Sequence, residues 1–100
     1  FNAIHGRYGE DGALQGLLEM AEIPYTGSGI MAHAVGMNKK VSKDVFKGAN
    51  IPTARSESYN GNLESAEAII DHIRKEFTIP VVVKSATQGS SIGVTIVREE

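Results

Sequence analysis

The 100-residue sequence contains no cysteine, so it can form neither a disulfide framework nor a thiolate metal site. This absence favours a reducing compartment and predicts a cytoplasmic location. No apolar run approaches the roughly 20 residues that a membrane-spanning helix needs, and no secretory signal pattern is present. The formal net charge of -2 gives no reason to expect nucleic acid or an anionic membrane as a partner. The spacing of histidines and carboxylates indicates no metal site.

The hydrophobic content of 41% is sufficient for a core, and the length allows one small domain or part of a larger one. The sequence opens in an apparent strand at Phe1 and stops at Glu100 just after another. We therefore expect a piece of a longer protein, with marginal stability when it is isolated.

Apolar periodicity and turn residues predict an alternation of strands and helices. The predicted elements are, in order, a strand end (1–4), a loop (5–12), three helices (about 11–22, 28–37 and 39–49), an extended segment (53–59), a helix (62–77) and two strands (80–84 and 94–97). Asn62 is the predicted N-cap of the fourth helix. Val81–Val83 is apolar without alternation, which predicts a strand covered on both faces. The order indicates an α/β or α+β fold.

A lysine and a small-residue loop stand between the last two predicted strands. Lys84 ends the first strand, and the following loop contains Gly89, Ser90, Ser91 and Gly93. Free backbone N–H groups beside one fixed positive charge suit a polyphosphate. The lysine precedes the glycines, unlike the lysine of a Walker A loop. A plain strand–turn–strand with an exposed lysine is the alternative.

A second loop, residues 5–12, leads into the first helix. Ligands gather at strand ends next to helix N-termini in open α/β sheets, where His5 could position or deprotonate a substrate. In the alternative, His5 bonds only its own loop, while Glu10 and Asp11 cap the helix.

Four lysines, at positions 39, 40, 43 and 47, lie along the third helix. Such a run is usually a solvated face, but Lys39, directly after Met37 and Asn38, is a candidate for binding a ligand. His33 and His72 show no partner pattern, and we expect His72 to be exposed.

Together these segments resemble the D-alanine–D-alanine ligase family. Residues 5–16, His-Gly-x-x-Gly-Glu-Asp-Gly-x-Leu-Gln-Gly, look like the family's first signature, and residues 23–29, Ile-Pro-Tyr-Thr-Gly-Ser-Gly, continue it. Residues 37–39 match its Met-Asp-Lys, and residues 84–94 match its Lys-Pro-…-Gly-Ser-Ser-x-Gly-Val segment. The match is weakest over residues 53–78.

The resemblance implies an ATP-grasp enzyme that uses ATP and Mg²⁺. ATP would phosphorylate the carboxylate of one D-alanine, and the amine of a second would displace the phosphate to give a dipeptide for peptidoglycan. Residues 1–36 would end a Rossmann-like pre-ATP-grasp domain, and residues 37–100 would begin the ATP-grasp domain. The resemblance is compatible with a homodimer in the full-length protein.

The resemblance also implies roles for particular residues. Lys39 and Lys84 would contact the ATP phosphates, and the loop Gly89-Ser90-Ser91 would fold over the transferring phosphoryl group. Ser90 aligns with a serine of the network that holds the loop closed, and His5 with a histidine near the first D-alanine. The metal ligands and several catalytic groups would lie outside this sequence, so we expect the isolated piece to be inactive.

Two residues depart from the family pattern: Ser85 replaces its proline, and Asn38 replaces its aspartate. Neither change removes a reacting group. Three alternatives stay open: a ligase with D-lactate or D-serine as second substrate, a nucleotide-binding module without ligase activity, and a structural fragment whose lysines are surface charge.

Overall fold

The computed structural model describes residues 1–99, and the chain divides into two compact units. Unit 1 consists of Phe1–Thr53 and Ala86–Ser91, and unit 2 of Ala54–Ser85 and the residues from Ile92 onward. The helices and strands are α1 (Ala13–Met20), α2 (Ile30–Met37), α3 (Lys39–Gly48), α4 (Ala66–Glu76), β1 (Val81–Lys84) and β2 (Val94–Val97). This content confirms the predicted α/β class. Among the described residues, no helix is long and apolar enough to cross a membrane.

Helix α1 of unit 1 confirms the first predicted helix. It ends where Glu22 adopts a positive φ of 54°, and the N–H of Ile23 donates to the carbonyl of Leu18 at 2.9 Å. The N–H of Glu22 donates to the carbonyl of Glu19 at 3.1 Å. These two bonds form a Schellman motif, which satisfies carbonyls that the helix end would otherwise leave free.

Helices α1 and α2 meet at a glycine. Gly12 has a φ of 94°, and a Cβ built on it would lie only 2.7 Å from the carbonyl oxygen of Ile30. A side chain there would face both an unfavourable backbone conformation and a backbone clash. The glycine at position 12 therefore allows the start of α2 to lie against the start of α1.

Asn38 joins α2 to α3. It ends α2 and is the N-cap of α3, where its Oδ1 accepts the N–H of Val41 at 3.2 Å. The hydroxyl of Ser42 donates to the carbonyl of Val35 at 2.6 Å, so the first turn of α3 also ties down the last turn of α2. The predicted helices at 28–37 and 39–49 are thereby confirmed.

Helix α4 of unit 2 begins four residues later than the predicted N-cap. The cap is Ser65, whose Oγ accepts the N–H of Ala68 at 3.2 Å. The prediction of Asn62 was wrong because residues around it form a turn, in which the N–H of Asn62 donates to Oδ1 of Asn60 at 3.1 Å. Local bonding of this kind is what Asn offers in place of a helix.

The last two predicted strands are confirmed as an antiparallel hairpin, in which Val81 pairs with Val97 and Lys84 with Val94. The N–H of Ser85 donates to the carbonyl of Gly93 at 3.2 Å and closes the ladder. The expectation that both faces of β1 are covered was wrong for the described residues, since Val82 and Val83 are 51% and 50% exposed. Among residues 1–99, helix α4 of the same unit packs on neither strand.

Two predicted extended segments are not strands. At the start of the chain the N–H of Ile4 donates to Oδ1 of Asn2 at 2.9 Å, and no described strand pairs with residues 1–4. A strand exists only through hydrogen bonds to a neighbour. Residues 53–59 likewise join no described sheet. Within unit 2, Arg55 pairs with Glu76 of α4, and Tyr59 stands edge-on to His72.

Candidate functional site

Lys39 and the small-residue loop lie together in unit 1. The backbone N–H of Lys39 donates to the carbonyl of Ala86 at 2.9 Å, and its Nζ donates to the carbonyl of Gln88 at 2.6 Å. Because Lys39 is the first residue of α3, the loop is anchored at the positive end of a helix dipole. An ammonium group has three donors, so two remain for a ligand.

The tip of the loop presents free hydrogen-bond donors. Among the described residues, no acceptor is bonded by the backbone N–H groups of Gly89, Ser90 or Ser91. Ser90 has a positive φ of 54°, and both serines are exposed. Successive unpaired N–H groups in a turn with positive φ are typical of an anion-binding nest.

The His5 loop reaches the same tip through Glu10. A Cβ built on Gly89 would lie 3.4 Å from Oε2 of Glu10 and 3.5 Å from Cε of Met37, which are ordinary contact distances, so both side chains are neighbours of Gly89. Oε2 of Glu10 also accepts the N–H of Gly6. Nδ1 of His5 lies 4.0 Å from the other oxygen of this carboxylate, and the His5 side chain is almost fully exposed.

The two carboxylates of the His5 loop have different roles. Asp11 precedes Gly12, the N-cap of α1, and its Oδ1 accepts the N–H of Ala13, the first residue of the helix, at 3.1 Å. Its Oδ2 accepts the N–H of Tyr8 at 2.9 Å, and these bonds, that of Tyr8 first, lower the pKa of Asp11. Glu10 does not cap α1, because its carboxylate turns back onto Gly6 instead.

Of the sequence-predicted site residues, Lys39, Gly89, Ser90, Ser91 and His5 all belong to unit 1. Lys84 belongs to unit 2, where it is the exposed last residue of β1. The other lysines of α3 include Lys40, which pairs with Asp44 at 2.9 Å on the helix surface. That hydrogen bond raises the pKa of Lys40 and lowers the pKa of Asp44.

Two side chains that contact the His5 loop or each other, His33 and Gln15, were not among the site residues predicted from the sequence. His33 contacts the carbonyl oxygen of Glu10 through Nδ1 at 3.3 Å and the amide nitrogen of Gln15 through Nε2 at 3.2 Å. Gln15 is only 2% exposed. The only signal in the sequence is that Gln15 lies on α1 beside Leu14 and Leu18, which are half-buried, and a buried amide requires a partner.

Comparison with known proteins places the chain in a class of ligases. The D-alanine–D-alanine ligase of Coxiella burnetii superimposes with a TM-score of 0.81 and is 33% identical, covering 95% of this chain and 28% of that structure. The VanG D-Ala:D-Ser ligase of Enterococcus faecalis superimposes with a TM-score of 0.83 at 34% identity, covering 96% of this chain and 27% of that structure.

The sequence relationship is more specific. The profile described as D-ala D-ala ligase N-terminus matches residues 1–28, and that described as D-ala D-ala ligase C-terminus matches residues 45–100. The D-alanine–D-alanine ligase of Pelotomaculum thermopropionicum is 47% identical over 103 residues, covering 100% of this chain and 32% of that protein. The chain belongs to the D-alanine–D-alanine ligase family, and it spans about a third of the length of the curated relatives that it matches.

Proposed function

We propose that the chain is part of an ATP-dependent D-alanine–D-alanine ligase of the ATP-grasp class, which supplies the dipeptide for peptidoglycan. Residues 1–36 would end its Rossmann-like N-terminal domain, and residues 37–100 would begin its ATP-grasp domain. The matches of an N-terminal family profile to residues 1–28 and of a C-terminal one to residues 45–100 support this division.

One observation carries the proposal: the anchored loop described above. Lys39 holds the carbonyl oxygens of Ala86 and Gln88, and the N–H groups of the next three residues bond no described acceptor. Free N–H groups beside a lysine are the chemistry that binds a phosphate chain. The residues present therefore fit a nucleoside triphosphate, with Lys39 as the fixed charge and the Gly89–Ser91 backbone as donors.

In the proposed reaction, a carboxylate oxygen of the first D-alanine attacks the γ-phosphorus of ATP, and the bond to the bridging oxygen breaks to release ADP. The unprotonated amine of the second D-alanine then attacks the acyl carbon, phosphate leaves, and the nitrogen loses a proton as the peptide bond forms. Charge neutralisation and positioning supply most of the catalysis in phosphoryl transfer. Lys39 and Lys84 would supply charge, Ser90 and Ser91 would close over the phosphoryl group, and His5 would lie near the first D-alanine.

Mg²⁺ would neutralise phosphate charge in this reaction. Within residues 1–99 no group of three His, Cys, Asp or Glu side chains is placed to hold a metal ion. The described residues therefore act on the nucleotide through lysine and backbone donors, and we assign none of them to the metal.

Product analysis of the full-length protein tests the proposal. Incubation with ATP, Mg²⁺ and D-alanine is expected to give D-alanyl-D-alanine and ADP in equal amounts, as measured by mass spectrometry and nucleotide chromatography. L-alanine should give neither product. ATP hydrolysis without dipeptide, or bound ATP without turnover, would contradict the proposal and favour a nucleotide-binding module.

A second candidate uses D-serine as the second substrate. The likeness to the VanG D-Ala:D-Ser ligase of Enterococcus faecalis is the observation that favours this candidate. Competition between D-alanine, D-serine and D-lactate in the same incubation distinguishes the candidates, since the preferred second substrate gives the dominant product mass. A homodimer, a cytoplasmic location and the absence of nucleic-acid or membrane partners stay predictions.

A further inference from the structure

Glu10 is at the centre of the candidate site, although it is neither a predicted ligand nor a cap. Its carboxylate accepts the N–H of Gly6, lies 4.0 Å from Nδ1 of His5, and would be 3.4 Å from a Cβ added to Gly89. A change in the position of Glu10 would therefore disturb the His5 turn, to which its carboxylate is bonded through Gly6.

The backbone of Glu10 is held from both sides. Its N–H donates to the carbonyl of Gly6 at 3.0 Å, and its own carbonyl oxygen lies 3.3 Å from Nδ1 of His33. A carbonyl oxygen can only accept, so Nδ1 of His33 carries the proton in this arrangement. His33 thus links α2 to the His5 loop of the same unit.

Gln15 orients the His33 ring. Its amide nitrogen can only donate, so the 3.2 Å contact with Nε2 of His33 requires that Nε2 accept. The two contacts together select the Nδ1–H tautomer and fix the ring plane. Through His33, Gln15 therefore acts on Glu10 without touching it.

The amide oxygen of Gln15 shows that the Gln15–His33 pair does not give the highest stability that this position could have. Oε1 is buried and accepts no hydrogen bond from any described residue. A buried polar atom without a partner costs free energy, which an unbranched apolar side chain of the same length would avoid. A residue that served packing alone would not need an amide at this position.

We propose that His33 and Gln15 are positioning residues for the ligase reaction, which hold Glu10 so that its carboxylate fixes the His5 turn. The inference rests on the proposed function. Neither residue touches the substrates. Both act through Glu10, and their loss is expected to weaken use of D-alanine more than use of ATP.

The test uses the full-length protein and three variants. Gln15→Met keeps the packing and removes the donor to Nε2, His33→Leu removes both contacts, and His33→Asn restores a donor near the position of Nδ1. His72→Leu, a change of the same type on the exposed face of α4, is the matched control. The readouts are KM for D-alanine, KM for ATP, the melting temperature, and hydrogen exchange of the Gly6 amide, whose acceptor is Glu10.

The proposal predicts that Gln15→Met and His33→Leu raise KM for D-alanine about tenfold, in the lower range of losses seen when outer-shell partners of a site are removed. KM for ATP should stay within about twofold. Gly6 should exchange faster while the Gln15→Met melting temperature is unchanged or higher. His33→Asn should recover most of the loss, and His72→Leu should behave as wild type.

Unchanged Gly6 exchange and unchanged KM values in Gln15→Met and His33→Leu would overturn the proposal. So would a fall in the melting temperature of Gln15→Met that accounts for the whole loss of activity, since that result assigns Gln15 a purely structural role. If the full-length wild-type protein shows no D-alanine-dependent turnover, the proposed function fails. Gly6 exchange still reports in that case whether the pair holds Glu10.

Discussion

Single residues of unit 1 illustrate how the candidate site is built from backbone requirements rather than from apolar burial. Gly12 allows α1 and α2 to approach, and Asp11 satisfies two N–H groups of the loop that leads into α1. Both residues belong to the segment that carries the family's first signature. Each therefore makes a separate prediction about stability.

Gly12→Ala should destabilise the full-length protein by about 2 kcal/mol, because a non-glycine residue would be strained at a φ of 94°. The new Cβ would also approach the carbonyl oxygen of Ile30 to 2.7 Å. The matched control is Gly16→Ala in the interior of α1. Its Cβ would lie 3.7 Å from Cδ1 of Ile30, an ordinary contact, and the better helix propensity of Ala should stabilise by about 1 kcal/mol.

Urea unfolding of both variants measures the two effects. Equal and small changes would contradict the account, because they would mean that α1 and α2 do not approach at Gly12. Opposite signs, with Gly12→Ala much the larger in magnitude, are the expected result.

Asp11 predicts a pH dependence of stability. The N–H groups of Tyr8 and Ala13 favour its charged form, so its pKa in the folded protein lies below the usual value of 3.8. Stability from these bonds is therefore fully present above pH 3.8 and is lost as the pH falls through the lower, folded pKa. Asp11→Asn removes the titrating group.

The measurement is the free energy of unfolding between neutral and strongly acidic pH. Below pH 3.8 the free energy of unfolding of the wild type should fall more steeply with decreasing pH than that of Asp11→Asn. The difference in slope corresponds to at most about one bound proton. Identical slopes would show that the two N–H bonds do not favour the charged carboxylate.

At the scale of elements, α3 holds the candidate site at its N-terminus. Asn38 caps this helix and Lys39 begins it, so the cap and the proposed phosphate ligand are neighbours. The family pattern has Asp at the cap, and both Asn and Asp accept a backbone N–H there.

Asn38→Asp should retain the cap and add a favourable charge at the helix N-terminus, which raises stability by about 0.5 kcal/mol. Asn38→Ala should lower it by about 1 kcal/mol, because the N–H of Val41 loses its acceptor. Thermal unfolding of the full-length variants compares the two. An Asp variant as unstable as the Ala variant would show that Asn38 is not the cap.

The helices were largely predictable from sequence, because their apolar spacing and caps are local properties. α1, α2, α3 and both strands of the hairpin lie where the pattern placed them. The start of α4 was not predictable from Asn62, because the competing turn through Asn60 depends on a single side-chain bond. Residues 1–4 and 53–59 read as extended, but pairing depends on neighbours that local pattern does not reveal.

The candidate site was predictable in part. Lys39 and the Gly89–Ser91 loop were identified from separate motifs, and the structure brings them into contact through Gln88. The role of Glu10 was not predictable, because a carboxylate at a helix start is usually a cap. Only the folded structure shows that it accepts the N–H of Gly6 instead. The link from Gln15 to His33 spans 18 residues, which no local pattern encodes.

At the scale of the whole molecule, the described residues include no fully buried apolar side chain. Leu17 and Met20 of α1 are 63% and 89% exposed, and Val82 and Val83 of the hairpin are half-exposed. Hydrophobic burial is the main favourable term in folding, so each unit by itself has little to offset its conformational entropy.

The isolated 100-residue chain is therefore expected to unfold without a cooperative transition and to bind a hydrophobic dye at room temperature. Circular dichroism during heating, with dye fluorescence, measures both properties, and the full-length protein serves as the control. A sharp transition above about 60 °C for the isolated chain would contradict this expectation.

The central claim is that lysine-anchored phosphate binding in this chain serves a D-alanine ligase. The most direct test is the rate of phosphate release by the full-length protein with ATP and Mg²⁺, measured with D-alanine, with L-alanine and with neither. Lys84→Ala and Lys39→Ala are compared with Lys75→Ala, an exposed lysine of α4 outside the candidate site. The account predicts release that requires D-alanine, falls at least about a hundredfold in the first two variants and is unchanged in the third. Release that is indifferent to D-alanine, or equal in all three variants, would contradict it.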